Sequence, residues 1–343
     1  MSEELYFPSG DDWERVGPTE AGWSKAGLSE LFDYCAERNS HQLVILSRGR
    51  LLADQQWGGT DPDASGDIAS AQKSFVSFMV GMLAERGLVS IEDPVSRWLG
   101  KGWSRADAAS EERIQLRHLL SMCSGLYDDF TVEAEPGRVW YYNNNAYHQV
   151  RRALEAATGQ STQELFAELL FEPLGMRSSS WQARPAMKDP NGWVLSGLFS
   201  SARDMARFGL AVLSGGRWGA TTLLGDRQYL AASMTQSQPM NPAYGYLWWL
   251  LGAPRAMTPS RGEGPPDPRK FFGGATLDHP LVPTGPADLV GALGAGDKRV
   301  YIWPSRQVVI TRHGEAGGPM AAAISRFDEG FWTRVMAAAG DAA

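Results

Sequence analysis

A dense apolar pattern follows Ser70. In "SAQKSFVSFMVGMLAERG" (70–87), Phe75, Phe78, Met79, Met82 and Leu83 recur at i, i+3, i+4, i+7 and i+8, the spacing of an α-helix. Val76 and Val80 lie on another face, so this helix is apolar nearly all round and belongs in the interior. Upstream, "SKAGLSELFDYCAER" (24–38) puts Leu28, Leu31, Phe32 and Cys35 on one side of a predicted amphipathic helix. "HQLVILSRGRLLADQQWGG" (41–59) has two apolar runs around Arg48-Gly49-Arg50. That predicts a β-hairpin, with Gly49 supplying the positive φ of a tight turn.

Beyond "SIEDPVSRWLG" (90–100), which ends in turn chemistry, a mainly helical region is expected. "RIQLRHLLSMCSG" (113–125), "NNNAYHQVRRALEAATG" (143–159), "STQELFAELLFEPLG" (161–175) and "SARDMARFGLAVLSGG" (201–216) each show helical periodicity and close on glycine. From Tyr244 the character changes. "YGYLWWLLG" (244–252) reads as a strand, and residues 252–288 form a loop rich in proline and glycine. Strands follow around "KRVYIWP" (298–304) and "QVVITR" (307–312). A last helix is predicted over 324–340, with Phe327, Phe331, Trp332 and Val335 on one side.

Strands therefore lie toward both ends of the sequence and helices fill the middle. The expected class is α/β in the broad sense (α+β). One antiparallel sheet is built from both termini and flanked by the terminal helices, and an all-helical lobe is inserted between its halves. The boundaries fall at 1–95, 96–240 and 241–343. No internal repeat is visible.

Composition narrows the function. The 343 residues are 43% hydrophobic and 21% charged, an ordinary globular balance. A net charge of −7 and the absence of any basic run exclude a nucleic-acid binder. The acidic, proline-broken start lacks the features of a signal peptide, and no stretch of 18 apolar residues could span a membrane. Cys35 and Cys123 have no metal spacing and are too few for a disulfide framework. They are expected as buried thiols in a reducing compartment, which makes the protein cytoplasmic. The five histidines (41, 118, 148, 279 and 313) form no His-x-x-x-His pair, so no metal site is expected.

The chemistry concentrates at the head of the buried helix. Ser70 and Lys73 are three residues apart and share a face. A serine hydroxyl becomes a nucleophile when a nearby base takes its proton. A lysine can be that base when neutral, and burial beside the positive end of a helix disfavours its charged form. The helix N-terminus also offers N–H groups to an oxyanion. With 29 serines and six lysines in the chain, chance supplies about half a Ser-x-x-Lys, so the motif alone carries little. A second element, "EPGRVWYYNNNAYHQV" (135–150), contains Tyr142 and Asn144. A phenol beside an ammonium loses its proton more easily and can share the base role. The Asn144 amide can bond a substrate carbonyl or hold the lysine, and the asparagine run can equally be a helix cap after a core aromatic cluster. Other motifs fall away. No Gly-x-Ser-x-Gly is present, and the glycines of "GALGAG" (291–296) have the wrong spacing for a dinucleotide site. His313 is expected in a structural or rim position.

Together with their flanks these elements resemble the serine β-lactamase and penicillin-recognising superfamily. The nearest branch is that of the class C β-lactamase-like esterases and 6-aminohexanoate-dimer hydrolases. The resemblance runs from about residue 40 to the C-terminus. Ser70-Ala71-Gln72-Lys73 matches the Ser-x-x-Lys box, and Tyr142-Asn143-Asn144 with Tyr147 is similar to the Tyr-x-Asn box. "LRHLLSMCSGL" (116–126), "EPLGM" (172–176), "SARDMARFG" (201–209) and "YGYLWW" (244–249) also resemble the branch. The third box departs from it. Ala292-Leu293-Gly294 stands where Lys-Thr-Gly or His-x-Gly is expected.

The resemblance implies a β-lactamase-like fold and a cofactor-free serine hydrolase. Ser70 would attack an ester or amide carbonyl and pass its proton to the Lys73–Tyr142 pair. The N–H groups of Ser70 and Ala295 would hold the oxyanion, with Gly294 and Gly296 as alternatives to Ala295. Asn144 would orient the substrate, a small-molecule ester or amide. Losing the third box's carboxylate grip weakens β-lactam turnover and favours a carboxylesterase, with an amidase or transacylase as variants on one site. A non-catalytic, penicillin-binding-like sensor or scaffold is the reading from another class. Trp248 and Trp249 are candidate walls of the acyl pocket, although strand alternation lets only one face the cleft. The 252–288 loop is expected as a lid or a homo-oligomer contact.

Overall fold

The computed structural model describes residues 5–10, 13–259, 275–318 and 326–340. Its longer elements are α1 (Lys25–Glu37), β1 (Ser40–Ser47), β2 (Arg50–Gln56), β3 (Gly66–Asp67), α2 (Gln72–Glu85), α3 (Asn144–Thr158), β4 (Ser180–Lys188), β5 (Val194–Ser200), α4 (Ala202–Leu213), β6 (Trp249–Leu250), β7 (Val290–Gly294), β8 (Lys298–Trp303), β9 (Val308–Gly314) and α5 (Phe327–Ala339). Short helices at Ser96–Leu99, Ala108–Glu112, Leu116–Leu120 and Arg227–Ser233 fill the intervals.

Side chains mark the helix ends. Ser24 caps α1 by accepting from the Gly27 N–H at 3.1 Å, and Ser201 caps α4 through the Asp204 N–H at 3.2 Å. α3 closes on Gly159 at φ +73°, a left-handed cap that glycine adopts without a Cβ clash. The β1–β2 turn puts Arg48 at φ +50° and Gly49 at φ +83°, which matches the twist of the two strands it joins.

The main sheet has the order β2-β1-β9-β8-β7-β6 and is antiparallel throughout. Strands 40–56 and 249–314 thus share one sheet, as the pattern of the two chain ends implies. α1 and α5 pack together on one face, and α4 lies across β1, β8 and β9 on the other. The sheet core is Leu43, Ile45, Val300, Ile302, Val309 and Ile310, all essentially without exposure. Cys35 and Cys123 are buried free thiols.

Three expectations need correction. Residues 96–240 are not all helical, because β4 and β5 lie there and build a second sheet with β3, in the order β3-β5-β4. β4 ("SWQARPAMK") is solvent-facing over most of its length, so it carries no apolar alternation to read. α4 belongs to the main sheet rather than to a helical lobe. The strand expected over 244–252 shrinks to Trp249–Leu250, because Leu247 turns to φ +60° and Tyr244 folds back to bridge Trp249. Within the 252–288 loop, Ala256–Met257 pairs with Thr276–Leu277. Residues 260–274 lie outside the described residues, so the lid and oligomer expectations are not addressed there.

A buried ionic cluster ties the β7–β8 hairpin to α5. The fully buried Arg299 donates from Nε and Nη2 to the two Asp328 oxygens at 2.8 Å each, and from Nη2 to Asp297 Oδ1 at 2.7 Å. Tyr301 donates its hydroxyl to Asp328. Removing one partner from such a cluster strands a buried charge. Asp328→Ala is therefore expected to cost about 3–5 kcal/mol in denaturant unfolding, with the slope unchanged. A cost below about 1 kcal/mol would mean that Asp297 alone compensates Arg299.

Candidate active site

The segment before Ser70 is moored to the second sheet. Asp67 of β3 pairs with Phe199 of β5, and the Ile68 N–H donates to Leu198 O at 3.1 Å. Gln72, between the two functional residues, accepts from the Leu198 N–H at 2.7 Å. Ala69 takes φ +50°, and a short 3-10 turn over Ala69–Ala71 delivers Ser70 to the start of α2.

Lys73 is 3% exposed. Its Nζ donates to Ser70 Oγ at 2.9 Å and to Asn144 Oδ1 at 2.9 Å. The amine also lies 4.8 Å from the Tyr142 ring centre and 4.6 Å from that of Tyr147. Among the described residues no carboxylate pairs with it. Burial, then the positive charges of Arg184 and Arg151, lower its pKa to about 7. The ring faces recover part of the lost hydration of the cation, but burial wins.

The three asparagines divide three tasks. Asn143 caps α3 by accepting from the Ala146 N–H at 2.8 Å and donates to Leu126 O at 2.8 Å. Asn144 holds Lys73, and Asn145 donates to Asp128 O at 2.8 Å. Holding the lysine and capping the helix are thus both realised, on neighbouring residues.

Tyr142 is buried and lies beside Ser70. Burial pushes its pKa above the ordinary tyrosine value, and the Ser70 contact offsets only part of that. The expectation of a readily ionised phenol is corrected: desolvation outweighs the neighbouring amine, so Tyr142 stays protonated at neutral pH. Trp249 stacks on Tyr142 at 5.9 Å, and Tyr244 crosses Trp249 edge-on at 4.7 Å. Trp248 is a further correction. It is fully buried and stacks on Phe208 at 6.1 Å, because successive residues of this segment face opposite ways. It belongs to the core, and only Trp249 reaches the site.

β7 brings in the third element. A Cβ at Gly294 would lie 2.2 Å from Ile68 O, so the strand end and the nucleophile segment meet backbone to backbone. Ala292 shares the Gly294 face, whereas Leu293 pairs with Arg299 and shares its side of the sheet, toward α5. On β7 the face toward Ser70 thus offers only a methyl group and a hydrogen, while Lys298 of β8, paired with Gly294, stands beside them with its Nζ 4.0 Å from Glu315 Oε2. Ala295 follows at the exposed hairpin tip. The tip is gripped from behind. Arg299 Nη1 donates to Gly294 O at 2.6 Å, and Arg312 Nη1 donates to Gly296 O at 3.2 Å and Asp297 O at 2.8 Å.

His313 lies beneath Gly66, and burial lowers its pKa to about 4. It touches neither Ser70 nor Lys73 through any hydrogen bond. The sequence reading missed Tyr244, Arg151, Arg184, Arg299 and Arg312. Arg151 is fully buried, stacked over Trp181, and donates to Ser196 Oγ at 2.5 Å. Arginines on strands and on the back of a helix carry no motif, so no local signal marks them. Among the described residues no cluster of metal-ligating side chains occurs, and no helix is long and apolar enough to cross a membrane.

A family model described as Beta-lactamase matches residues 28–321. The esterase EstB of Burkholderia gladioli is 28% identical over 172 residues, covering 40% of this chain and 44% of the esterase. The chain thus spans less than half the length of that relative. A solved structure from Bacteroides dorei, described as a beta-lactamase, superposes with a TM-score of 0.69 at 18% identity, covering 92% of this chain and 99% of that one. One from Bacillus anthracis, described as a 6-aminohexanoate-dimer hydrolase, gives 0.67 at 16% identity, covering 96% and 87%. These two show the fold, a β-lactamase-like mixture of helices and antiparallel sheets.

The buried amine sets two expected outcomes. Covalent labelling of Ser70 by a fluorophosphonate should accelerate with pH through an apparent pKa near 7, as Lys73 loses its proton. A limb near 4 to 5, or a flat profile, would contradict this. Because the folded pKa lies below the ordinary 10.5, the unfolded chain binds the extra proton between about pH 7 and 10.5, and stability rises with pH across that window. Below pH 7 the full burial cost remains. Lys73→Met should therefore abolish labelling yet raise the melting temperature at pH 6 by a few degrees, about 1–3 kcal/mol, with the gain shrinking toward pH 9.

Proposed function

The chain belongs to the Beta-lactamase family, a serine hydrolase superfamily, and from that premise we propose that it is a carboxylesterase cleaving short acyl esters through an acyl-enzyme on Ser70. The observation that carries the reading is the 2.9 Å contact between Ser70 Oγ and a buried amine whose pKa is near 7. A base must be unprotonated in a substantial fraction of molecules at working pH and within hydrogen-bond reach of the proton it takes. Lys73 meets both conditions, and Tyr142, held protonated, does not.

In the proposed cycle, neutral Lys73 takes the Ser70 proton as Oγ bonds to the ester carbonyl carbon. The N–H groups of Ser70 and Ala295 receive the oxyanion, and the rigid grip on the hairpin tip keeps the second donor in place. Collapse of the tetrahedral intermediate breaks the acyl carbon–oxygen bond. Tyr142 protonates the departing alkoxide and regains its proton from the Lys73 ammonium. A water then attacks the acyl carbon, giving its proton to Lys73, and as the acyl carbon–Oγ bond breaks the Lys73 ammonium returns that proton to Ser70 Oγ and the acid leaves. No cofactor enters any step.

The substrate reading rests on the third element. β7 itself carries no ammonium or hydroxyl on the face toward Ser70, and the Lys298 ammonium beside it on β8 lies 4.0 Å from the Glu315 carboxylate, which favours uncharged acyl esters over β-lactams. The esterase among the curated relatives points the same way. A linear amide is the second reading. A phenol kept protonated beside Ser70 suits the protonation of an amine leaving group. Four side chains converging from α2, its preceding turn and the α3 start weigh against a non-catalytic scaffold.

Brief mixing with p-nitrophenyl butyrate, followed by intact-mass spectrometry, tests the reading. Wild type should show a nitrophenol burst and a butyryl adduct. Ser70→Ala should show neither, with turnover lower by about 10⁴-fold or more. Tyr142→Phe should lose about 10²–10⁴-fold. Equal release from wild type and Ser70→Ala would end the proposal.

A further inference from the structure

The residue before the nucleophile is held where an alanine resists going. Ala69 sits at φ +50°, the left-handed region that a Cβ disfavours. Its N–H donates to Asp67 Oδ1 at 2.8 Å. The other carboxylate oxygen, Oδ2, accepts from Arg184 Nη2 at 2.5 Å, across 117 residues of chain. Arg184 stands on β4, paired with Leu195 of β5, while Asp67 stands on β3 at the other edge of the three-stranded sheet. The guanidinium must therefore cross the middle strand, and it does so over Gly197. A Cβ at Gly197 would come within 2.1 Å of Nη2, so the strand is bare where the arginine passes.

We propose that Asp67 and Arg184 are positioning residues for Ser70. The carboxylate ties down the Ala69 N–H, the guanidinium fixes the carboxylate, and the pair keeps Ser70 Oγ against Lys73 Nζ. The proposal rests on Ser70 being the nucleophile of the reaction above. Neither residue hydrogen-bonds Ser70 or Lys73 directly, so the brace acts through the backbone, separately from the Arg184 charge that helps lower the Lys73 pKa. Without the brace Ala69 relaxes toward right-handed or extended backbone, and Ser70 turns its hydroxyl and its N–H away from their stations. That displacement lowers the chemical step and leaves substrate affinity largely unchanged.

Two rates test it: steady-state hydrolysis of p-nitrophenyl butyrate, and fluorophosphonate labelling at Ser70. Asp67→Ala should lower kcat and the labelling rate together, by about 10–100-fold, with KM within about threefold. Arg184→Gln should lose about 3–10-fold, since the carboxylate remains but swings more freely. Adding Ala69→Gly to Asp67→Ala should restore about fivefold, because glycine takes a positive φ without the carboxylate's help. A merely structural role for Asp67 would not respond to that second substitution. Wild-type rates in both single variants would overturn the brace, as would a double variant no faster than Asp67→Ala. Labelling without ester turnover would overturn the ester reading alone, since the brace is still read from labelling. No labelling of wild-type Ser70 would overturn both. Should Asp67→Ala fail to fold, Arg184→Gln and Gly197→Ala carry the same test, the latter by pushing the guanidinium off its path.

Discussion

A single amine in a dry place governs this structure. Lys73 is buried among two aromatic rings, an amide and a hydroxyl, within the field of Arg184 and Arg151, and among the described residues no carboxylate pairs with it. An ammonium there would forgo its hydration without an ion pair in return. The protein lowers that cost by letting the proton go, and an amine that readily releases a proton is one that can take a proton from serine. Stability and reactivity are thus opposed at one atom, as expected where a site is built for chemistry rather than for folding.

The rest of the fold holds other parts against that amine. α2 is apolar all round, so its first turn can be buried with it. α3 begins with a capped asparagine run that presents Asn144 and Tyr142 from the opposite side. β7 comes from more than 200 residues later and meets the nucleophile segment backbone to backbone, which only a glycine at 294 allows. Its hairpin tip is held by Arg299 and Arg312, whose carbonyl contacts do for the backbone what a ligand shell does for a metal. The second sheet anchors the segment from below through Leu198 and Gln72. Each device works on main-chain position, which suits a mechanism whose oxyanion donors are main-chain groups.

Much of this was legible in the residues. The hairpin at Gly49, the buried helix after Ser70 and the pairing of both chain ends in one sheet follow from periodicity and turn chemistry, and the meeting of Ser70, Lys73, Tyr142 and Asn144 is what the family resemblance implies. What stayed hidden has physical reasons. β4 turns most of its side chains to solvent, so it lacks the alternation by which strands are recognised. The 244–252 run has strand composition, but a left-handed Leu247 breaks it, and that decision is made by tertiary contacts such as Leu247 O accepting from Ser74. The acidity of Tyr142 was misjudged because a neighbouring amine is visible in a sequence and desolvation is not. The arginines that brace the site are scattered from 151 to 312, and only the folded chain reveals what they hold.

The direct test of the account is the titration of Lys73 itself. With six lysines in the chain, ¹³C labelling of the side chains gives a spectrum simple enough to follow each εCH₂ shift with pH, and Lys73→Met assigns the resonance. The account predicts that Lys73 titrates near pH 7. A titration near 10, the ordinary lysine value, would leave an ammonium beside Ser70 at neutral pH and remove the base on which the proposed chemistry depends.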